Sequence, residues 1–151
     1  MTAPSAGHVI RLTQTRVERQ LFLQRTILIG VRRNWAAGSK AIFVRRQEAL
    51  SDNVSDLQDY FIGFGIVKSL VPFTELSASE RQKCMENNCY GKITFGILVR
   101  FIPPIAESSI PSRTKKLEAG EEPQLPLQTG DALELSDIDQ IEQLASVRII
   151  S

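Results

Sequence analysis

A chain of 151 residues can enclose one real hydrophobic core but not two comfortable ones. Its apolar share of 42% and charged share of 23% are those of an ordinary globular protein, and no apolar run approaches the length of a transmembrane helix. Net charge is only +1, yet residues 1–50 carry nine Lys/Arg against Glu18 and Glu48, while residues 101–151 carry four against nine acids.

That polarity suits a front end that meets a polyanion and an acidic tail that meets solvent or another copy's front end. The basic residues are Arg11, Arg16, Arg19, Arg25, Arg32, Arg33, Lys40, Arg45 and Arg46. Eight are arginine, whose planar fork fits phosphate. The alternative is that outward arginines merely keep a β-rich region soluble and unpaired. Cys84 and Cys89, spaced CxxxxC with no histidine nearby, read as two free thiols of a reducing compartment rather than a zinc site. Without a leading apolar signal, the expected location is the cytosol, the cytosolic face of a membrane, or a virion.

In chain order, residues 1–20 read as a flexible basic arm containing His8, the sole histidine, as a solvated residue. Residues 22–33 alternate Ile27, Ile29 and Val31 with Leu28, Gly30 and Arg32, which predicts a strand. Small turn-forming residues at 34–39 and an extended pattern over 41–46 then predict a hairpin with a six-residue loop. Trp35 in that loop is either a lid on the core edge or an anchor for a partner or membrane.

Ser51 or Asp52 can cap a helix whose stripe is Val54, Leu57, Phe61 and Phe64, ended by Gly63 and Gly65. Residues 66–73 predict a short strand near a sheet edge, because Pro72 cannot donate. Ser77 and Glu80 have capping-box spacing, so a helix should run from Ala78 to about Asn87. In residues 90–102, Ile93, Phe95, Ile97, Val99 and Phe101 alternate with smaller or polar groups, sending five apolar side chains to one face of the organising strand. Pro103 and Pro104 should stop it. Residues 103–130, with Pro103, Pro104, Pro111, Pro123 and Pro126, read as a linker. Ser136 then opens a helix in the acidic segment 131–151, whose Ile138, Ile141 and Leu144 form a narrow stripe for docking or self-association.

The expected fold is therefore α+β: a small antiparallel sheet packed by two short helices over residues 21–102, a Pro-rich linker and a C-terminal helix. Gly-rich phosphate loops, nucleophile elbows and Cys/His clusters do not occur in the sequence, so no catalytic, cofactor or metal residue is assigned and no small-molecule substrate is implied.

The succession ILIGVRR, DYFIGFG, IVKSLVPF and CYGKITFGILVRFI over residues 20–102 resembles the globular core of rhabdovirus matrix proteins, in a compact, plant-infecting form. The chain departs from the animal-virus members in its length and its C-terminal third. It also lacks a PPxY motif, since Pro103-Pro104-Ile105-Ala106 is not one. The resemblance implies a non-enzymatic structural protein that self-associates and bridges a nucleocapsid and an anionic membrane surface. The nine basic residues would then be its polyanion contacts, Trp35 its anchor, and the 138/141/144 stripe its self-contact. A small RNA-binding accessory protein, such as a suppressor of RNA silencing, and a cellular adaptor docking through the last helix are the alternatives.

Overall fold

Sixteen residues, Gly91–Ala106, run as a single strand with which three others pair. The computed structural model describes residues 7–48, 57–110, 127–145 and 147–150. The strands are β1 (Gly7–Arg11), β2 (Thr26–Ile29), β3 (Lys40–Glu48), β4 (Leu57–Pro72), β5 (Gly91–Ala106), β6 (Ala132–Leu133) and β7 (Val147–Ile150). Among the described residues three α-helices lie between them: α1 (Thr15–Gln24), α2 (Ala78–Glu86) and α3 (Leu135–Leu144). The fold is α+β.

The sheet order is β2-β5-β4-β3-β1-β6, with β7 pairing further along β5. It is mixed rather than wholly antiparallel, because β1 runs parallel to β3 while the other pairs are antiparallel. The expected hairpin does not form. β2 pairs with residues 91–94 of β5, and β3 lies between β1 and β4, so residues 30–39 carry the chain between strands that never touch.

Each face of the sheet carries a core. Strand β3 alternates between them, with Ala41 and Phe43 on one side and Ile42 and Val44 on the other. Helix α1 closes the first core through buried Leu21 and half-buried Val17 and Phe22. Helix α3 closes the second through Ile138 and Ile141. Residues 7–20 are thus no flexible arm: Val9, Ile10 and Leu12 are each at most 3% exposed.

Two expectations fail on β4 and β5, and both failures have packing causes. Leu57–Pro72 is one strand, central in the sheet, where a helix over residues 51–65 and a separate edge strand were expected. The apolar run is buried on both faces, so no alternation marks it as strand, and its chance three-and-four spacing imitates a helix. The proposed caps at 51 and 52, and Val54, lie outside the described residues. On β5, Ile93, Phe95 and Leu98 enter the first core, whereas Val99, Phe101 and Ile105 enter the second. The change of face follows from a bulge: Ile66 pairs with Ile97 but Val67 pairs with Phe95, leaving Gly96 unpaired and Ile97 47% exposed.

Pro103 and Pro104 do not end β5. The ladder to β4 skips from Arg100 to Ile105, so the prolines sit where no donor to β4 is required. Of the expected linker, residues 103–110 are strand and a short turn, Leu127 is buried, and residues 111–126 lie outside the described residues.

Helix α2 follows its capping signal. Ser77 Oγ accepts from the Glu80 amide at 3.3 Å and donates to Glu80 Oε1 at 3.1 Å. The same carboxylate receives Lys92 Nζ at 2.8 Å, which ties the helix to β5 and, with the Ser77 contacts, holds the Glu80 pKa below its ordinary value. Ser77→Ala should lower stability by about 1 kcal/mol, read as a fall in the urea midpoint with unchanged slope. Helix α3 begins at Leu135, where the Glu134 amide donates to Asp137 Oδ2 at 3.3 Å.

Candidate polyanion-binding site

The sheet register brings three of the nine basic residues to one place. Arg11 ends β1, and Arg45 and Arg46 follow each other on β3, where Arg46 stands opposite Asp59 of β4. Asp59 is 7% exposed. Its carboxylate takes a fork from Arg11, NH1 at 3.1 Å and NH2 at 2.8 Å, and Arg46 Nε at 3.2 Å. Arg11 Nε completes its own set on the Leu127 carbonyl. Beside them Arg45 NH1 reaches Glu18 Oε2 of α1 at 2.6 Å, and its Nε donates to Gln47.

Arg11, Arg45, Arg46 and Glu18 line a cleft of about 430 Å³ together with Leu12, Thr13, Gln14, Thr15 and Gln128; Asp59 is not part of its wall. Helix α1 begins at its rim. Gln14 supplies no side-chain cap there, so the positive end of the helix is balanced only by Glu18 in the first turn. Three guanidinium groups and a helix start therefore face one lining carboxylate, Glu18, while Asp59 bonds Arg11 and Arg46 from outside the lining. Arg11 and Arg45 are committed to structure. Arg46 is not: its side chain is 48% exposed and only Nε is used, so its two terminal nitrogens remain open to an anion among the described residues.

Burial on its own would raise the Asp59 pKa, but the hydrogen bonds and charge of Arg11, then of Arg46, more than offset it. The carboxyl is held below its ordinary value and is ionised at neutral pH. It fixes the arginines in place and lowers the net positive charge of the cleft by one.

The other six basic residues are dispersed. Arg16 and Arg19 are exposed on α1, with no carboxylate partner among the described residues. Arg25 caps α1 in a left-handed conformation and donates to the Gly96 carbonyl at 2.7 Å. Arg32 stacks 4.2 Å over the Tyr90 ring, and Arg33 donates to the Gly130 carbonyl at 2.9 Å. Lys40 lies on the α3 side, paired with Glu142 at 3.0 Å and placed over Phe64. One uniform basic face from all nine is therefore not what the fold builds.

Trp35 is the lid and not an anchor. It is 1% exposed, and its Nε1–H donates to the Val31 carbonyl at 2.9 Å. His8 packs edge-on against it at 5.7 Å, so it is no solvated tail residue. Burial first, and then the charge of Arg33, lower the His8 pKa, leaving the ring neutral at pH 7. The self-association stripe is likewise spent inside the molecule: Ile138 and Ile141 are 3% and 2% exposed, and only Leu144 reaches the surface, at 46%.

Two site residues, and one arginine outside the cleft, carry roles that a reading of the sequence does not assign. Asp59 looks like one more acid in a helix turn, and Glu18 like an isolated acid in a basic arm. Arg100, exposed on β5 and stacked 4.1 Å over Phe22 of α1, had a signal in its polar position between Val99 and Phe101. Among the described residues no helix is long and apolar enough to cross a membrane, and no group of three His, Cys, Asp or Glu could hold a metal. No family model, curated protein or solved structure matches this chain.

Proposed function

We propose that the chain is a non-enzymatic, matrix-like structural protein that grips the RNA of a ribonucleoprotein by its phosphates. The observation that carries this reading is the meeting of Arg11, Arg45, Arg46 and the start of α1 around one cleft. Arg46 offers the free fork, and Arg16 and Arg19 extend positive charge along the exposed side of the helix that starts there. Groups of this kind read phosphate and not base, so binding should be insensitive to sequence and steep in salt. With Trp35 inside, an anionic membrane surface enters the proposal only through the same charges.

Arg46→Ala combined with Arg16→Glu/Arg19→Glu tests it, because all three side chains are exposed and Asp59 keeps its fork from Arg11. Fluorescence anisotropy with a labelled single-stranded RNA should show affinity at low salt falling at least about tenfold. The salt slope should become shallower by roughly one unit for each phosphate that the variant no longer neutralises. Unchanged affinity and slope would overturn the reading. Pelleting with phosphatidylserine vesicles in the absence of any RNA binding would replace the ribonucleoprotein with a lipid surface.

A further inference from the structure

The two cysteines occupy a junction that the proposed function leaves unused. Helix α2 stops at Glu86, and Asn88 takes a left-handed φ of 55°, which turns the chain back under the helix end. The Cys89 amide then donates to the Cys84 carbonyl at 2.8 Å. Residues joined by such a backbone bond lie within the span of a disulfide. The pair is asymmetric. Cys84 is fully buried, whereas Cys89 is partly exposed and its thiol donates to the Asn87 carbonyl at 3.6 Å.

We propose that Cys84 and Cys89 form a dithiol modification site, which a small disulfide such as oxidised glutathione converts into an intramolecular disulfide. The exposed member reacts first. The Cys89 thiolate attacks one sulfur of oxidised glutathione, giving a mixed disulfide and releasing one glutathione. Cys84, deprotonated, then attacks Cys89 Sγ, the mixed S–S bond breaks, and the second glutathione leaves. Two protein thiols are oxidised and one glutathione disulfide is reduced to two thiols. The turn at Asn88 brings the two residues together before any bond exists, so the second step needs no refolding of the backbone.

Closure is slow at neutral pH, because burial raises both thiols, and Cys89 is pushed up to about 11 by burial, the charge of Cys84 and their hydrogen bond. The new bond would fasten the end of α2 to the head of β5. The Tyr90 amide there bonds the Ile29 carbonyl of β2, and the Tyr90 ring carries Arg32.

The test incubates the reduced full chain with oxidised glutathione, then alkylates it and weighs it intact and after digestion. The expected product is a monomer lighter by two hydrogens, with peptides 84 and 89 linked and neither thiol alkylated. It should form about tenfold faster for each pH unit between 7 and 10, following the thiolate fraction. Cys89→Ser, which spares the buried sulfur and hence the packing, should take up no glutathione at all. A stable glutathione adduct on Cys89, a disulfide-linked dimer, two thiols still alkylatable, or a rate flat across that pH range would each overturn the proposal.

Discussion

Asp59→Ala should cost roughly 3–5 kcal/mol of folding stability, the range for removing one partner from a buried ion pair. The magnitude follows from what stays behind. The Arg11 side chain is 12% exposed and its other donor already serves Leu127, so no carboxylate or solvent shell replaces Asp59. Against a typical total of about 5–15 kcal/mol, such a loss leaves the chain near its unfolding threshold. Replacing both partners, Arg11→Met with Asp59→Leu, should recover most of it, because no charge then lacks a partner. The acid dependence has a definite sign. The folded carboxyl sits below its unfolded pKa, so its stabilisation is fully present above the ordinary carboxylate range and is lost as pH falls through the folded value. Urea titrations at stepped pH check this: wild type and Asp59→Ala should differ most near neutrality and converge in acid. A single-variant loss below about 1 kcal/mol, the worth of an exposed pair, would mean that the cleft is not held by this carboxylate.

Local signals in the sequence were legible where the decisive contacts are local. The Ser77–Glu80 spacing marks α2 because the cap bonds residues three apart; Ser136 marks α3 as well, although the helix caps at Glu134 and starts at Leu135. Strand β5 stands out through its alternation over residues 93–101, although the bulge at Gly96 sends those side chains to two cores and not to one. What the sequence did not disclose was pairing. Whether β3 turns back on β2 or slides between β1 and β4 depends on residues far apart in the chain, and the small residues of 34–39 fit either route. The first half of β4 imitates a helix because burial on both faces erases the period that distinguishes the two, whereas its second half, residues 66–72, reads correctly as strand. Residues 7–20 passed for a flexible arm because Val9, Ile10 and Leu12 are a brief apolar burst among polar neighbours.

The candidate site inherits those limits. Charge could be counted from the sequence, but the choice between Arg46 as an open fork and Arg11 as a buried strut is made by the β3–β4 register, which sets Asp59 across from Arg46. An amphipathic stripe such as Ile138–Ile141 states that a helix buries one face without stating against what. Here the answer is its own sheet.

Gly63→Ala should be the most damaging single methyl in the chain, lowering stability by about 4 kcal/mol or preventing folding, at the upper end of what overpacking does. A β-carbon built at residue 63 would stand 2.0 Å from the Val99 carbonyl oxygen, 3.1 Å from its carbon and 3.2 Å from the Arg100 Cα. All three are backbone atoms of β5, and no rotamer change can move them. The strands must separate, and they do so at the Gly63–Arg100 pair, next to the stretch where the β4 ladder is skipped and β7 joins β5. Arg100 would move off the Phe22 ring with the strand, loosening α1 above the first core. Gly96→Ala is the matched control: it too lies on a bulged stretch of the same strand pair, but its nearest neighbour would be Lys68 Cβ at 3.7 Å, an ordinary contact. That variant should stay within about 0.5 kcal/mol of wild type. Thermal unfolding separates the two, with a drop of roughly 10 °C or more for Gly63→Ala and little change for Gly96→Ala. Equal behaviour of the pair would mean that β4 and β5 are not packed backbone to backbone at this point, and the register shift between Phe61 and Gly63 would have to be redrawn.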